Sequence, residues 1–545
     1  MPKRDTAAFA LNARRQLEQA FRALPIFSRP RSVALLNYLA VLEAESVKAA
    51  VFSSNPTLTT FGAHRSAVES SAHAIPAIFE WCPSDQVLPD ENVQPEIFEL
   101  AYDLFAFTAK YDQIDYSYRL ADRGHWKISV ANRDPRISFS YASPAADEAD
   151  TLARAREIQA KLSGDGWTLD PKLVGRIFEE LRSALLLQTR LTAPEKCEYF
   201  ISDEVLRVMR DLRKATNEAM PAGLEPSVRV GRFQLGDFRS WWCALLSLIQ
   251  THMMAHDIAC GGDVTKFPIR TVVVRKQRVE IIELLGSIAE LPSETTEFIL
   301  RCFLFDPKVN GKGPIIQPLL PIAEDYVCIS SLLVAFNDFE RNFFKLLHRS
   351  ALLLPFAASI DSQKEPTALR HVASLFPESE YAQKDCVSIP GTDVDLLVYE
   401  RRSGFTLVIQ HKWLTAPETP DESSSNDESL HKGVLQAIAA RDYLRLNQSR
   451  IGQVLKLSAT APITSIECVT VCRGLETTSF VEPSDVPVVN ERVFEALFAQ
   501  GRDLEQLWGL LCARPDKSLA AQSAVDVKMT ISLEQFDFVV PALGF

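Results

Sequence analysis

No run of apolar residues in this chain approaches the roughly 20 needed to cross a bilayer as a helix, and the N-terminus carries no apolar signal segment. The expectation is a cytoplasmic protein with no membrane partner. The ten cysteines lack the paired spacing of a zinc site, and many sit inside apolar runs, which fits buried thiols in a reducing compartment. Cys468 and Cys472 read as buried strand residues. There is no glycine-rich phosphate loop, dinucleotide fingerprint or internal repeat, so neither ATP hydrolysis nor translocation has support. A basic excess is missing too. The net charge of −12 argues against broad coating of a duplex, because phosphate binding depends on lysine and arginine contacts and the counterions they release. Any nucleic-acid groove must be a local basic strip.

What is there is a long chain of ordinary globular composition: 545 residues, 47% apolar and 23% charged, enough for roughly two to four domains. The spacing predicts a mainly helical region over residues 1–330, starting with a helix-like stretch through Leu24. Helical periodicity continues in Asp147 to Leu162, Pro171 to Leu187 and Phe238 to His256, and alternation predicts a small sheet from His125–Ala131 and Arg136–Tyr141. His252 and His256 stand four apart, as helical metal ligands do, but the metalloprotease Glu is absent and Met253 and Met254 beside them point to core packing. Target sensing or assembly, through a protein partner or a second copy of the chain, is the role expected of this region.

Residues 331–545 read as a separate α/β domain. Its centre is Gly391-Thr-Asp-Val-Asp-Leu-Leu-Val-Tyr-Glu-Arg-Arg-Ser-Gly-Phe-Thr-Leu-Val-Ile-Gln-His-Lys412, two apolar strands joined by the turn residues Glu400 to Gly404. With a loop of two or four residues centred between Arg402 and Ser403, Asp395 falls opposite Gln410 and Asp393 opposite Lys412, about 5 Å apart at Cβ. A three-residue loop would shift the pairing by one. Alternation puts Asp393, Asp395, Leu397, Thr406, Val408, Gln410 and Lys412 on one face and Val394, Leu396, Val398, Leu407, Ile409 and His411 on the other. Polar groups confined to one end of otherwise covered strands favour a site over a solvated face. Around the hairpin the pattern gives a first strand Tyr381–Ile389, an acidic loop from Pro417 to Ser429, a helix Leu430–Leu446 with Gln436 on it, strands Ile466–Cys472 and Val486–Asn490, and a helix through Phe494–Phe498.

This pattern resembles the core of the PD-(D/E)XK nuclease superfamily, most closely its Mrr-like restriction endonucleases. The resemblance implies a restriction-endonuclease-like α/β core, with Asp395 as a metal-binding acid and Asp393 as the alternative match, Gln410 at the variable position and Lys412 as the catalytic lysine. It also implies the backbone carbonyl of His411 as a further metal ligand, with the His411 ring on the opposite face. The chemistry asks for these types: Mg²⁺, or Mn²⁺, takes hard oxygen ligands, stabilises charge at a scissile phosphate and activates water, while an ammonium group neutralises the transition state. Gln410 in place of Glu removes one negative charge, for which Asp393, Glu340, Glu378 or Glu380 are the candidate replacements. Arg401, Arg402, Lys432, Arg441 and Arg445 are the candidate basic strip for nucleic acid. The function expected is Mg²⁺-dependent phosphodiester hydrolysis, of DNA and in restriction or defence against foreign DNA as the resemblance implies. The alternatives are a non-catalytic interaction protein on the same fold and an RNA nuclease.

Overall fold

A computed structural model of the chain describes residues 6–52, 56–84, 88–89, 92–130, 136–143, 170–193, 195–220, 223–263, 266–307, 316–335, 337–415, 420–473, 486–501, 503–513 and 525–544. Its architecture is mixed α and β. The helix expected over Asp147 to Leu162 lies outside the described residues.

Four helices open the chain: α1 (Thr6–Arg22), α2 (Arg31–Phe52), α3 (Pro56–Trp81) and α4 (Pro95–Asp122). On α1 the buried residues Ala10, Ala13, Leu17 and Phe21 recur every three or four positions, so one stripe faces the core. The strands β1 (Trp126–Val130) and β2 (Arg136–Tyr141) follow. A second helical unit is built from α5 (Pro171–Leu186), the ribbon β3 (Thr189–Ala193) and β4 (Lys196–Tyr199), α6 (Asp203–Ala219), the short ribbon β5 (Arg229–Val230) and β6 (Phe233–Gln234), and α7 (Leu235–Cys260). β7 (Val274–Gln277), α8 (Arg278–Ala289), α9 (Ser293–Phe303), β8 (Leu319–Pro321), β9 (Tyr326–Ile329), α10 (Ser331–Ala335) and α11 (Phe339–Arg349) complete it. α7 is its axis, with Phe238, Trp241, Trp242, Leu245 and Leu248 all buried. His252 and His256 lie buried on α7, with Tyr199, the Val272 carbonyl, the His252 carbonyl and Thr271 satisfying their nitrogens. This is the core role, and burial pushes both imidazoles down, His256 to about 4.

The third unit begins later than residue 331. Val334, Phe339, Phe343, Phe344, Leu346 and Leu347 of α10 and α11 pack into the second core, because their apolar stripe faces α7. The third unit starts with α12 (Ala357–Ser374), followed by β10 (Tyr381–Ile389), β11 (Thr392–Glu400), β12 (Phe405–Trp413), α13 (Pro420–Leu446), α14 (Gln448–Leu455), β13 (Ser465–Arg473), β14 (Val488–Asn490), α15 (Glu491–Gln500) and α16 (Leu504–Ala513). One sheet runs β10-β11-β12-β13-β14. The first three strands are antiparallel, and β13 and β14 continue parallel to β12. α13 packs on the face bearing Leu397, Val408 and Cys468, and α12, α15 and α16 pack on the face bearing Leu396, Leu407 and Val469. The acidic stretch expected as a loop is helix from Pro420 onward. The unit also ends early: β15 (Val525–Leu533) and β16 (Phe536–Gly544) return to the first unit and complete the sheet β1-β2-β16-β15.

Candidate functional site

The turn between β11 and β12 decides what meets at the other end of the hairpin. Gly404 N donates to the Glu400 carbonyl at 2.9 Å, closing a four-residue loop, Arg401 to Gly404. Gly404 has φ +79, and a Cβ there would run into the Pro462 carbonyl, so the turn admits no other residue without strain. Ser403 Oγ donates to the buried Glu400 carboxylate at 2.6 Å and accepts from Phe405 N at 3.1 Å. The resulting register pairs Tyr399 with Thr406, Val398 with Leu407, Leu397 with Val408 and Leu396 with Ile409. The paired residues end at Leu396 with Ile409, one residue short of Asp395 and Gln410.

Beyond that pair side chains take over from the ladder. Asp395 Oδ2 accepts a hydrogen bond from His411 N at 2.7 Å, and Gln410 Nε2 donates to the Asp393 carbonyl at 2.6 Å. The face alternation breaks here as well: Val394 packs with Leu397 on the α13 side, although strict alternation groups it with Leu396 and Val398. Across the sheet, Cys386 on β10 has φ +50 and stands beside Asp395 between the pairs Asp385 with Leu396 and Val387 with Val394.

Burial pushes the Asp395 carboxyl up to about 6; the His411 amide and the Lys412 ammonium pull it down, and Glu365 on α12 pushes it further up. Lys412 is thus within electrostatic reach of Asp395, on the side of β12 that faces α13. Gln410 is 1% exposed, and its Oε1 is buried with no hydrogen-bond partner. Thr470, paired with Gln410 across β13, and Gln436 on α13 also keep buried oxygens without a partner. The His411 ring points the other way, its Nε2 donating to Glu491 Oε1 at 2.7 Å at the start of α15.

Several expected residues are elsewhere. Glu378 and Glu380 flank the start of β10, whose Tyr381 pairs with Glu400; this is the turn end, about 20 Å along the strands from Asp395. Arg401 and Arg402 are at that same end, and Arg401 Nε donates to the Glu378 carbonyl. They therefore cannot share a phosphate with Lys412. Arg441 is 7% exposed and bound to Asp442, so its charge is not offered to a ligand. Arg445 bonds both Glu467 oxygens and the Ile466 carbonyl. Of the basic strip, only Lys432 is exposed at the Lys412 end, next to Gly433 on α13. Glu340 is at the Lys412 end, paired with Arg473, which lies across from Trp413 on β12; burial pushes its carboxyl up to about 7, and its Oε1 is buried without a hydrogen-bond partner.

The acid whose charge acts on the Asp395 carboxyl is Glu365, exposed on α12. Its signal in the sequence was masked by Pro366, which reads as a helix end. In the structure Pro366 is inside α12, where the carbonyl it leaves without a donor belongs to the exposed Ser362.

The donor set available to a hard cation is thus the Asp395 carboxylate and the orphaned Gln410 oxygen, the right atoms for Mg²⁺ with a single formal charge. Among the described residues no group of three or more His, Cys, Asp or Glu side chains is arranged to hold a metal ion, and no single helix is long and apolar enough to cross a membrane. Comparison with family models, with curated proteins and with solved structures gave no match.

Proposed function

We propose that this chain hydrolyses phosphodiester bonds, with DNA as the substrate and Mg²⁺ or Mn²⁺ as the cofactor, at the end of the sheet marked by Asp395, Gln410 and Lys412. The observation that carries the reading is the convergence of a carboxylate, a buried amide oxygen without a partner and an ammonium group on adjacent strands. Their elements follow one another as β10, β11, β12, α13, β13, the strand, strand, strand, helix, strand order of the core the sequence resembles.

Asp395 and Gln410 Oε1 are the groups that would hold the cation, with the His411 carbonyl as the further ligand the resemblance implies. When bound, the cation supplies charge neutralisation at the phosphate and a more acidic water. The protein's own groups do the rest. The His411 amide fixes Asp395 in one rotamer, and the Asp393 carbonyl fixes which end of the Gln410 amide faces the site. Lys412 donates to a phosphate oxygen and offsets the charge that develops there, an effect worth about 3 kcal/mol where one such donor has been removed. Glu365 is the nearby acid able to strengthen the site's negative potential for a cation. Restriction or defence against foreign DNA, in the cytoplasm, is the setting this activity suggests.

A second reading has its own support. One carboxylate, its pKa raised, beside a neutral amide is a poor cation site, as is fitting for a nuclease fold retained for binding. Incubation of the protein with a mixed panel of DNA and RNA, with Mg²⁺, Mn²⁺ or chelator, separates them. Metal-dependent cleavage of DNA is the expected result; no cleavage of any substrate with either metal refutes the enzyme.

A further inference from the structure

The Lys412 side chain does not project freely from β12. It runs along the backbone of α13 at Gly433, where an added Cβ would stand 3.2 Å from Lys412 Cγ, 2.9 Å from Lys412 Cε and 3.2 Å from Thr470 Cγ2. Gly433 is buried within the helix and is not among the residues with positive φ. What the position demands is therefore the absence of a side chain, not conformational freedom. A glycine inside a helix is otherwise unfavourable relative to alanine.

We infer that Gly433 is a positioning residue: its bare backbone and the Thr470 methyl form a slot that holds the Lys412 stem and aims the ammonium at the Asp395 end of the sheet. The inference rests on the reading of that end as a phosphodiesterase site. A lysine stem has many rotamers, and a catalytic ammonium must hold its place to well within an ångström to be effective. The slot supplies that restriction from two elements, α13 and β13. Lys432, the neighbouring exposed ammonium on α13, lacks such a slot and stays a solvent-facing charge.

The test is Gly433→Ala in the full-length protein. The atom met first, Lys412 Cε, is the far part of a flexible side chain, Thr470 Cγ2 at 3.2 Å has only a few tenths of an ångström to give, and alanine favours the helix, so the fold persists while Lys412 leaves the slot. Gly452→Ala on α14, which meets nothing within 4 Å, is the matched control. Competitive amine labelling read by mass spectrometry reports Lys412 directly: its reactivity rises in Gly433→Ala and stays at the wild-type level in Gly452→Ala. On DNA with Mg²⁺, kcat falls about tenfold in Gly433→Ala with KM retained, and adding the change to Lys412→Ala brings no further loss. Unchanged Lys412 labelling overturns the inference whatever the activity, and so does an additive loss in the double variant. A wild-type protein that cleaves nothing while labelling responds as described upholds the slot and refutes the phosphodiesterase reading.

Discussion

Glu400 and Gln410 are two buried polar side chains on adjacent strands at opposite ends of one sheet, 4% and 1% exposed, and their surroundings treat them differently. The Glu400 carboxylate accepts from Ser403 Oγ and from Leu504 N, tying the β11–β12 turn to α16. Gln410 Oε1 accepts nothing. A buried acceptor without a donor costs about 1–3 kcal/mol, and an apolar residue of similar size would remove that cost. Glu400 is a polar residue whose carboxylate the fold supplies with donors; Gln410 is one whose oxygen the fold leaves without a donor.

The sharpest way to break this contrast is at the open end. Asp395→Ala and Lys412→Ala should each lower cleavage by roughly a hundredfold or more in protein that stays folded, although Asp395→Ala also removes the acceptor of His411 N and lowers the melting temperature. Asp395→Asn separates two roles, because its oxygen can still accept from His411 N but no longer carries charge. Wild-type rates in the alanine variants would move the chemistry elsewhere.

A comparable energy sits in a buried acid far from the site. Glu43 of α2 accepts from Ser330 Oγ at 2.6 Å and Leu332 N at 3.1 Å, and burial pushes its carboxyl up from 4.5 to about 7. The folded state therefore binds this proton more tightly than the unfolded chain. Its stabilising contribution is complete below pH 4.5 and is lost as pH rises through about 7, a change of about 3 kcal/mol. Glu43→Gln keeps the accepting oxygen and removes the charge. Its gain in stability over the wild type should grow between pH 5 and pH 8 in denaturant titrations; a constant difference across that range would show that Glu43 is not the group responsible. His252 and His256 act in the opposite sense, since their lowered pKa values make the unfolded chain the better proton binder below about pH 6.5. Comparing the variant with its parent at each pH cancels their effect.

At the closed end the loss should fall on stability alone. Glu400→Ala removes the acceptor for Ser403 Oγ and Leu504 N, at a cost of about 1–3 kcal/mol, and leaves kcat of the surviving folded protein unchanged. A fall in kcat at constant stability would mean that the two ends are coupled.

The contrast also explains how far the sequence could be read. The hairpin was legible because its period of two, its turn residues and its apolar runs all favour one pairing, and the boundaries Tyr381–Ile389 agree with the observed strand. The charges around it were not legible. Arg401, Arg402, Glu378 and Glu380 look close to Asp395 along the chain, yet extended strands carry them about 20 Å away. Glu365 and Gly433 are distant in sequence and arrive by packing of α12 and α13 on the two faces of the sheet, which no local pattern encodes. The return of β15 and β16 to the first unit is of the same kind: a pairing of residues about 400 apart in the chain has no signature in either segment.

The smallest expected effect is the most discriminating. Gln410→Glu places a second carboxylate near Asp395, whose pKa is already raised to about 6. With no cation present the two acids repel, and one of them should hold a proton to still higher pH. With Mg²⁺ present the added charge completes a more usual acidic set and should tighten binding, while cleavage changes by only a few-fold because Lys412 is untouched. Calorimetric titration of Mg²⁺ into both proteins at pH 7.5 reads this directly. Saturable binding that strengthens in the variant is the expected outcome and gives Gln410 Oε1 its missing partner. No binding to either protein would leave that oxygen open for a hydrogen-bond donor instead, and the sheet end would be a recognition surface and not a centre of hydrolysis.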